Sequence, residues 1–131
     1  MPRWRSMVIF DTNMILRYLL NDNQEMADKA EWYLENESVH VTVEVIAETV
    51  YVLKGVYSLE RKPIAETIKR FLTLVECRYT AALNVALDTF EKSNLDFVDC
   101  VLFGYYSAEG AEIATFDKKL LRLIAHNAKE N

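Results

Sequence analysis

The chain has 131 residues, of which 51% are hydrophobic, with only 3 glycines and 2 prolines. That length and apolar content suit one self-supporting domain over residues 1–131, and they exclude a disordered, collagen-like or linker-rich chain. A net charge of −5 argues against a simple basic patch for nucleic acid, so where the acids cluster matters more than their sum.

The cysteines, Cys77 and Cys100, and the histidines, His40 and His126, are too few and too scattered for a disulfide framework or a structural zinc site. Such a chain is expected in a reducing compartment, the cytoplasm. No apolar run approaches the ~18 residues of a membrane span. The run after the charged start Met1–Ser6 is too short for a signal core.

In chain order, Met7–Phe10 reads as a short buried strand ended by Asp11. Ile15, Leu16, Leu19 and Leu20 repeat at helical spacing over Thr12–Leu20, which stops at Asn21-Asp22-Asn23. A second helix covers Gln24–Leu34. Val39–Val41 is a short strand, and Thr42 caps a helix over Val43–Val56 that ends near Gly55. After the polar turn Glu60–Pro63, Pro63 fits the first turn of a helix carrying Ile64, Ile68, Phe71 and Leu72. Leu74–Cys77 reads as a strand and Asn84–Lys92 as a helix. Asp96 opens a helix through Ala108, ended by Gly110, in which Phe103, Tyr105 and Tyr106 read as packing. A strand at Glu112–Thr115 and a last helix from Phe116 to Ile124 complete the chain. The expected fold is α/β, with a mostly parallel central sheet of about four to five short strands flanked by helices.

In such folds ligands bind beyond the carboxyl ends of the strands, where this chain places acids. Asp11 ends the first strand, Asp96 and Asp99 flank a helix start, and Asp117 follows the strand ending at Thr115. Each has a structural alternative as a helix cap, with Asp96 and Asp99 resembling a capping box. Glu48, set among Val45, Ile46, Val50, Val52 and Leu53, is expected to face inward at a margin. There it needs a partner or a metal. Glu44, one turn earlier, reads as solvated. Clustered carboxylates either take up protons or share a cation. Oxygen-only ligands select Mg²⁺ or Mn²⁺, and two such ions about 4 Å apart activate water against a phosphodiester. Setting four site acids aside nearly balances the 15 bases. Arg17, Lys54, Lys118, Lys119 and Arg122 are then candidate contacts to a nucleic-acid backbone, or else solvated surface residues.

These residues resemble a known family. Phe10-Asp11-Thr12-Asn13 is similar to the opening motif of PIN-domain ribonucleases, and Thr42–Leu53 resembles the second motif, with Glu48 in its acidic position. Asp96-Phe97-Val98-Asp99 looks like the third motif and Thr115–Leu120 like the fourth. Order, spacing and length match the small VapC-type toxins of toxin–antitoxin pairs. The resemblance implies an endoribonuclease in which Asp11, Glu48, Asp99 and Asp117 hold one or two Mg²⁺ or Mn²⁺ ions. It also implies that Asn13 and Thr115 orient carboxylates or water, with Asp96 an additional acid at the rim or a cap. A metal-activated water would leave a 5′-phosphate and a 3′-hydroxyl. The resemblance further implies a homodimer and a cognate antitoxin. The short N-terminal extension over residues 1–6, with Arg3, Trp4 and Arg5, departs from the commonest small-toxin pattern.

The rival from another functional class is a catalytically silent PIN-like module that binds RNA or a partner. A haloacid-dehalogenase-like phosphohydrolase needs a second acid where Asn13 stands, and a receiver domain needs paired acids beside Asp11. No GxGxxG, P-loop or GxSxG occurs.

Overall fold

The computed structural model describes residues 7–130; the extension with Arg3, Trp4 and Arg5 lies outside them. The described residues divide into two compact units that part between Arg78 and Tyr79.

The first unit holds β1 (Met7–Ile9), α1 (Thr12–Leu20), α2 (Gln24–Asn36), β2 (Ser38–His40), α3 (Val43–Gly55) and α4 (Arg61–Leu72). Three of its helices start where short polar side chains accept otherwise unpaired backbone N–H groups. Asp11 caps α1, Asn23 caps α2 and Thr42 caps α3. Pro63 occupies the first turn of α4, where its missing N–H costs nothing. α1 stops at Asn21, whose left-handed backbone (φ 51) returns its N–H to the Arg17 carbonyl. The buried core gathers Phe10, Ile15, Ile46, Leu53, Ile68 and Phe71.

β1 and β2 pair in parallel, with Val8 opposite Val39. Among the described residues the sheet has these two strands, not four to five. The expected strand Leu74–Cys77 shrinks to one bridge between His40 and Glu76. There the Glu76 N–H donates to the Val39 carbonyl (2.8 Å), and the Val41 N–H donates to the Glu76 carbonyl (3.0 Å). Its flanks are taken up by turns: Thr73 and Leu74 donate back to Arg70 and Phe71 to close α4. The expected burial of Met7–Phe10 holds for Phe10 alone at 0% exposure; Met7 and Ile9, on the opposite face of the strand, are exposed.

The second unit is α5 (Thr80–Lys92), α6 (Phe97–Glu109) and α7 (Lys118–Glu130). α5 and α6 approach closely because Gly104 has no side chain: a Cβ there would lie 2.2 Å from the Ala82 carbonyl oxygen. Edge-to-face ring pairs flank this contact, Phe90 with Phe97 at 5.6 Å and Tyr79 with Tyr105 at 5.1 Å. Gly110, with φ 73, ends α6, and the Gly110 and Ala111 N–H groups both return to the Tyr105 carbonyl. The expected strand Glu112–Thr115 is not formed among the described residues. That stretch is the connection into α7, which starts at Lys118 rather than Phe116 because Asp117 caps it.

Candidate active site

In the first unit Asp11 stands between β1 and α1, exposed, with its Oδ1 accepting the Met14 N–H at 2.9 Å. The next residue, Thr12, is buried and donates its hydroxyl to Glu48 Oε1 at 2.5 Å. This short, charge-assisted bond fixes the Glu48 carboxylate against the start of α1. Glu48 itself is exposed, which corrects the inward-facing expectation. The inward face of α3 is Ile46, Thr49, Val50 and Leu53, spaced three and four apart. Glu48 lies off that stripe beside its margin, so its apolar sequence neighbours overstated its burial.

Asn13 is exposed on the first turn of α1, and Lys54 is exposed on the last turn of α3. Arg17 is already engaged. Its Nη1 pairs with Asp22 at 2.8 Å and its Nη2 donates to the Tyr57 hydroxyl at 3.2 Å, with the side chain 16% exposed. The Tyr57 hydrogen bond, followed by the Asp22 charge, raises its pKa against the opposing effect of burial. Arg17 therefore ties α1 to the turn after α1 and to the turn after α3; of the five candidate backbone cations it is the least available.

In the second unit Asp96, Asp99 and Asp117 line one cavity of about 450 Å³, together with Asn94, Leu95, Lys118, Lys119 and Arg122. Asp96 occupies the N-cap position of α6, but its side chain makes no capping hydrogen bond. The capping-box alternative is thus not realised on the Asp96 side. Burial first, and then the charges of Asp117 and Asp96, push the Asp99 carboxyl above its ordinary range. Asp117 is held twice: its Oδ1 accepts the Leu120 N–H at 2.9 Å, and its own N–H donates to Thr115 Oγ1 at 2.9 Å. Thr115 thus positions the Asp117 backbone rather than a carboxylate.

The structure thus joins Thr12 to Glu48 and gathers Asp96, Asp99, Asp117 and the α7 cations. The partnership of Thr12 with Glu48 spans 36 residues, a distance that spacing along the chain does not reveal. Among the described residues no three His, Cys, Asp or Glu side chains are gathered tightly enough to hold an ion unaided. The chemistry of the donors nevertheless fits a hard cation. They are carboxylate oxygens, and the Asp117 and Asp96 charges act on Asp99 in the direction a bound cation would relieve.

The chain is thus a helix-rich α/β fold with a parallel β1–β2 pair and carboxylates at the starts of three helices. The PIN domain family model matches residues 8–126, and the chain belongs to the PIN domain family. Members of this family are in general nucleases that use divalent metal ions. No curated protein and no solved structure matches the chain. Among the described residues no helix is long and apolar enough to cross a membrane.

Proposed function

We propose that this chain is a metal-dependent endoribonuclease of the VapC type, the toxin of a toxin–antitoxin pair. In this reading residues 1–131 form a single PIN domain that acts in the cytoplasm as a homodimer restrained by a cognate antitoxin. The observation that carries the nuclease reading is the cavity of the second unit. Three acids surround it, Asp99 resists ionisation because of burial and its two neighbours, and Lys118, Lys119 and Arg122 stand in the same wall. Acids that repel one another without a cation, bordered by bases for phosphate, fit metal-assisted phosphodiester hydrolysis.

Asp11, Glu48, Asp99 and Asp117 would hold one or two Mg²⁺ or Mn²⁺ ions. Bound metal supplies charge stabilisation at the scissile phosphate and a more acidic water. The chain's own residues do the positioning. Thr12 fixes Glu48, Thr115 and the start of α7 fix Asp117, and Asp96 stands at the rim of the cavity. Lys118, Lys119 and Arg122 bind the phosphates of the strand, which sets the scissile bond over the carboxylates.

The test is cleavage of a mixed RNA pool with Mn²⁺, with Mg²⁺ and with EDTA, beside Asp11→Asn and Asp99→Asn. Metal-dependent cutting to 5′-phosphate ends, lost in both variants at unchanged secondary structure, is expected. Normal cleavage by the variants would remove those residues from the mechanism. No cutting in any condition would favour the silent binding module.

A further inference from the structure

The chain has 6 phenylalanines. Phe10, Phe71, Phe90, Phe97 and Phe103 are buried, whereas Phe116 is fully exposed. Two half-buried tyrosines of the second unit lie against other rings: Tyr105 meets Tyr79, and Tyr106 lies against Phe103. Phe116 is also held firmly at its base. The hydrogen bond from the Asp117 N–H to Thr115 Oγ1 spans it, and Asp117 is pinned as the cap of α7. A large apolar ring is thus presented to solvent on a fixed backbone, one residue from an acid of the cavity and about 3.8 Å away along the chain.

The surroundings select the occupant. Lys118 and Lys119 follow directly, and with Arg122 they line the acid cavity. Lys119 and Arg122 also line an adjoining open cavity of about 500 Å³, which continues along α7 to His126. An exposed aromatic ring beside a track of cations is the combination that binds single-stranded nucleic acid: cations take the phosphates, and the ring takes the face of a base. Paired bases keep their faces covered, so such a site favours unpaired nucleotides.

We propose that Phe116 is a base-stacking platform that seats an unpaired nucleotide flanking the scissile phosphate, a positioning residue for the nuclease reading on which this inference rests. The base lies against the ring while Lys118, Lys119 and Arg122 hold the adjoining phosphates. The site thereby discriminates single strands from duplex without reading base identity, because every base offers a face.

The experiment uses the full chain with Phe116→Ala, Phe116→Leu and Phe116→Trp, each also in an Asp99→Asn background for binding without cleavage. The probes are a single-stranded oligoribonucleotide about a dozen nucleotides long and an abasic chain of the same length. Phe116→Ala is expected to weaken binding of the base-containing strand at least about fivefold, the lower end for one base–aromatic stack. Phe116→Trp restores it, Phe116→Leu does not, and the abasic chain binds all variants equally. Cleavage of single strands falls in parallel while the melting temperature is unchanged, since the ring is fully exposed among the described residues. Equal binding of both probes by all variants, or full rescue by Phe116→Leu, would overturn the proposal. So would a Phe116→Ala protein that changes oligomeric state on sedimentation, which would assign the ring to a contact between copies. If the wild-type chain cuts no RNA but the stacking signature is present, the nuclease reading fails and the platform stands. If cutting persists without the signature, only the platform fails.

Discussion

Replacing Gly104 by alanine tests how the second unit holds its acids in place. The added Cβ would sit 2.2 Å from the Ala82 oxygen and 3.0 Å from its carbonyl carbon. Ordinary contact needs about 1 Å more, and the obstacle is backbone, which has no rotamer to escape into. α5 and α6 must therefore part by roughly that distance, and a gap of 0.5–1 Å forfeits about a quarter to a half of each dispersion contact it opens. Overpacking of this kind costs about 3 kcal/mol at the upper end of its usual range. The better helix propensity of alanine returns about 1 kcal/mol. The net loss is about 2 kcal/mol, which for a chain of this size lowers Tm by roughly 8 °C. Gly55→Ala is the matched control. Nothing lies within 4 Å of its added Cβ, and its backbone is not left-handed. A gain of about 0.4–1 kcal/mol is expected there. Urea unfolding followed by circular dichroism reads both, and cleavage assays report whether α6, which carries Asp99, has moved. A Gly104→Ala protein as stable as the parent, or a loss equal in both variants, would refute the close-contact reasoning.

Three further outcomes are expected. In metal-free protein Asp99→Asn should raise Tm near neutral pH. The folded state holds the Asp99 proton more tightly than the unfolded chain, whose ordinary value is 3.8, so the parent loses stability as pH rises from there through the higher folded value. Parallel Tm profiles for the two proteins across that range would contradict this. Thr12→Val should lower kcat at least about tenfold with KM little changed, and cost only about 1 kcal/mol of stability, because the released Glu48 carboxylate is exposed to water; undiminished kcat would count against Thr12 as its anchor. Lys119→Ala and Arg122→Ala should each flatten the log–log dependence of single-stranded RNA affinity on salt by about 0.7, and an unaltered slope would exclude them as phosphate contacts.

Much of the first unit was readable in the residues themselves. The α1 limits Thr12–Leu20 follow from its apolar spacing and the Asn21-Asp22-Asn23 stop, and the Thr42 cap of α3 follows from its position before an apolar run. The sheet was not readable in the same way. A short stretch such as Glu112–Thr115 alternates half-buried and exposed residues as an edge strand would. A strand exists only if a neighbour offers its backbone in register, and no local pattern encodes that neighbour. At Glu76 the neighbour is there, but turns on either side leave one residue free to pair. The same division runs through the site. Residue type and order marked the acids, whereas the Thr12 hydroxyl under Glu48 and the crowding of Asp99 by Asp117 and Asp96 depend on folding distant segments together. Glu48 shows the converse: apolar company along the chain is not company in space, and its side chain is exposed.

Asp11 and Asp117 each spend one carboxylate oxygen on starting a helix, and this shapes the mutational routes open to the chain. Asparagine caps a helix about as well as aspartate does, whereas alanine forfeits about 1 kcal/mol at such a position. A drift from aspartate to asparagine would therefore strip negative charge from the candidate site while leaving α1 and α7 intact. A drift to alanine would be penalised in folding even where no catalysis was at stake. Helix integrity thus keeps oxygen-bearing side chains at these two positions, but it exerts no pressure to keep them charged.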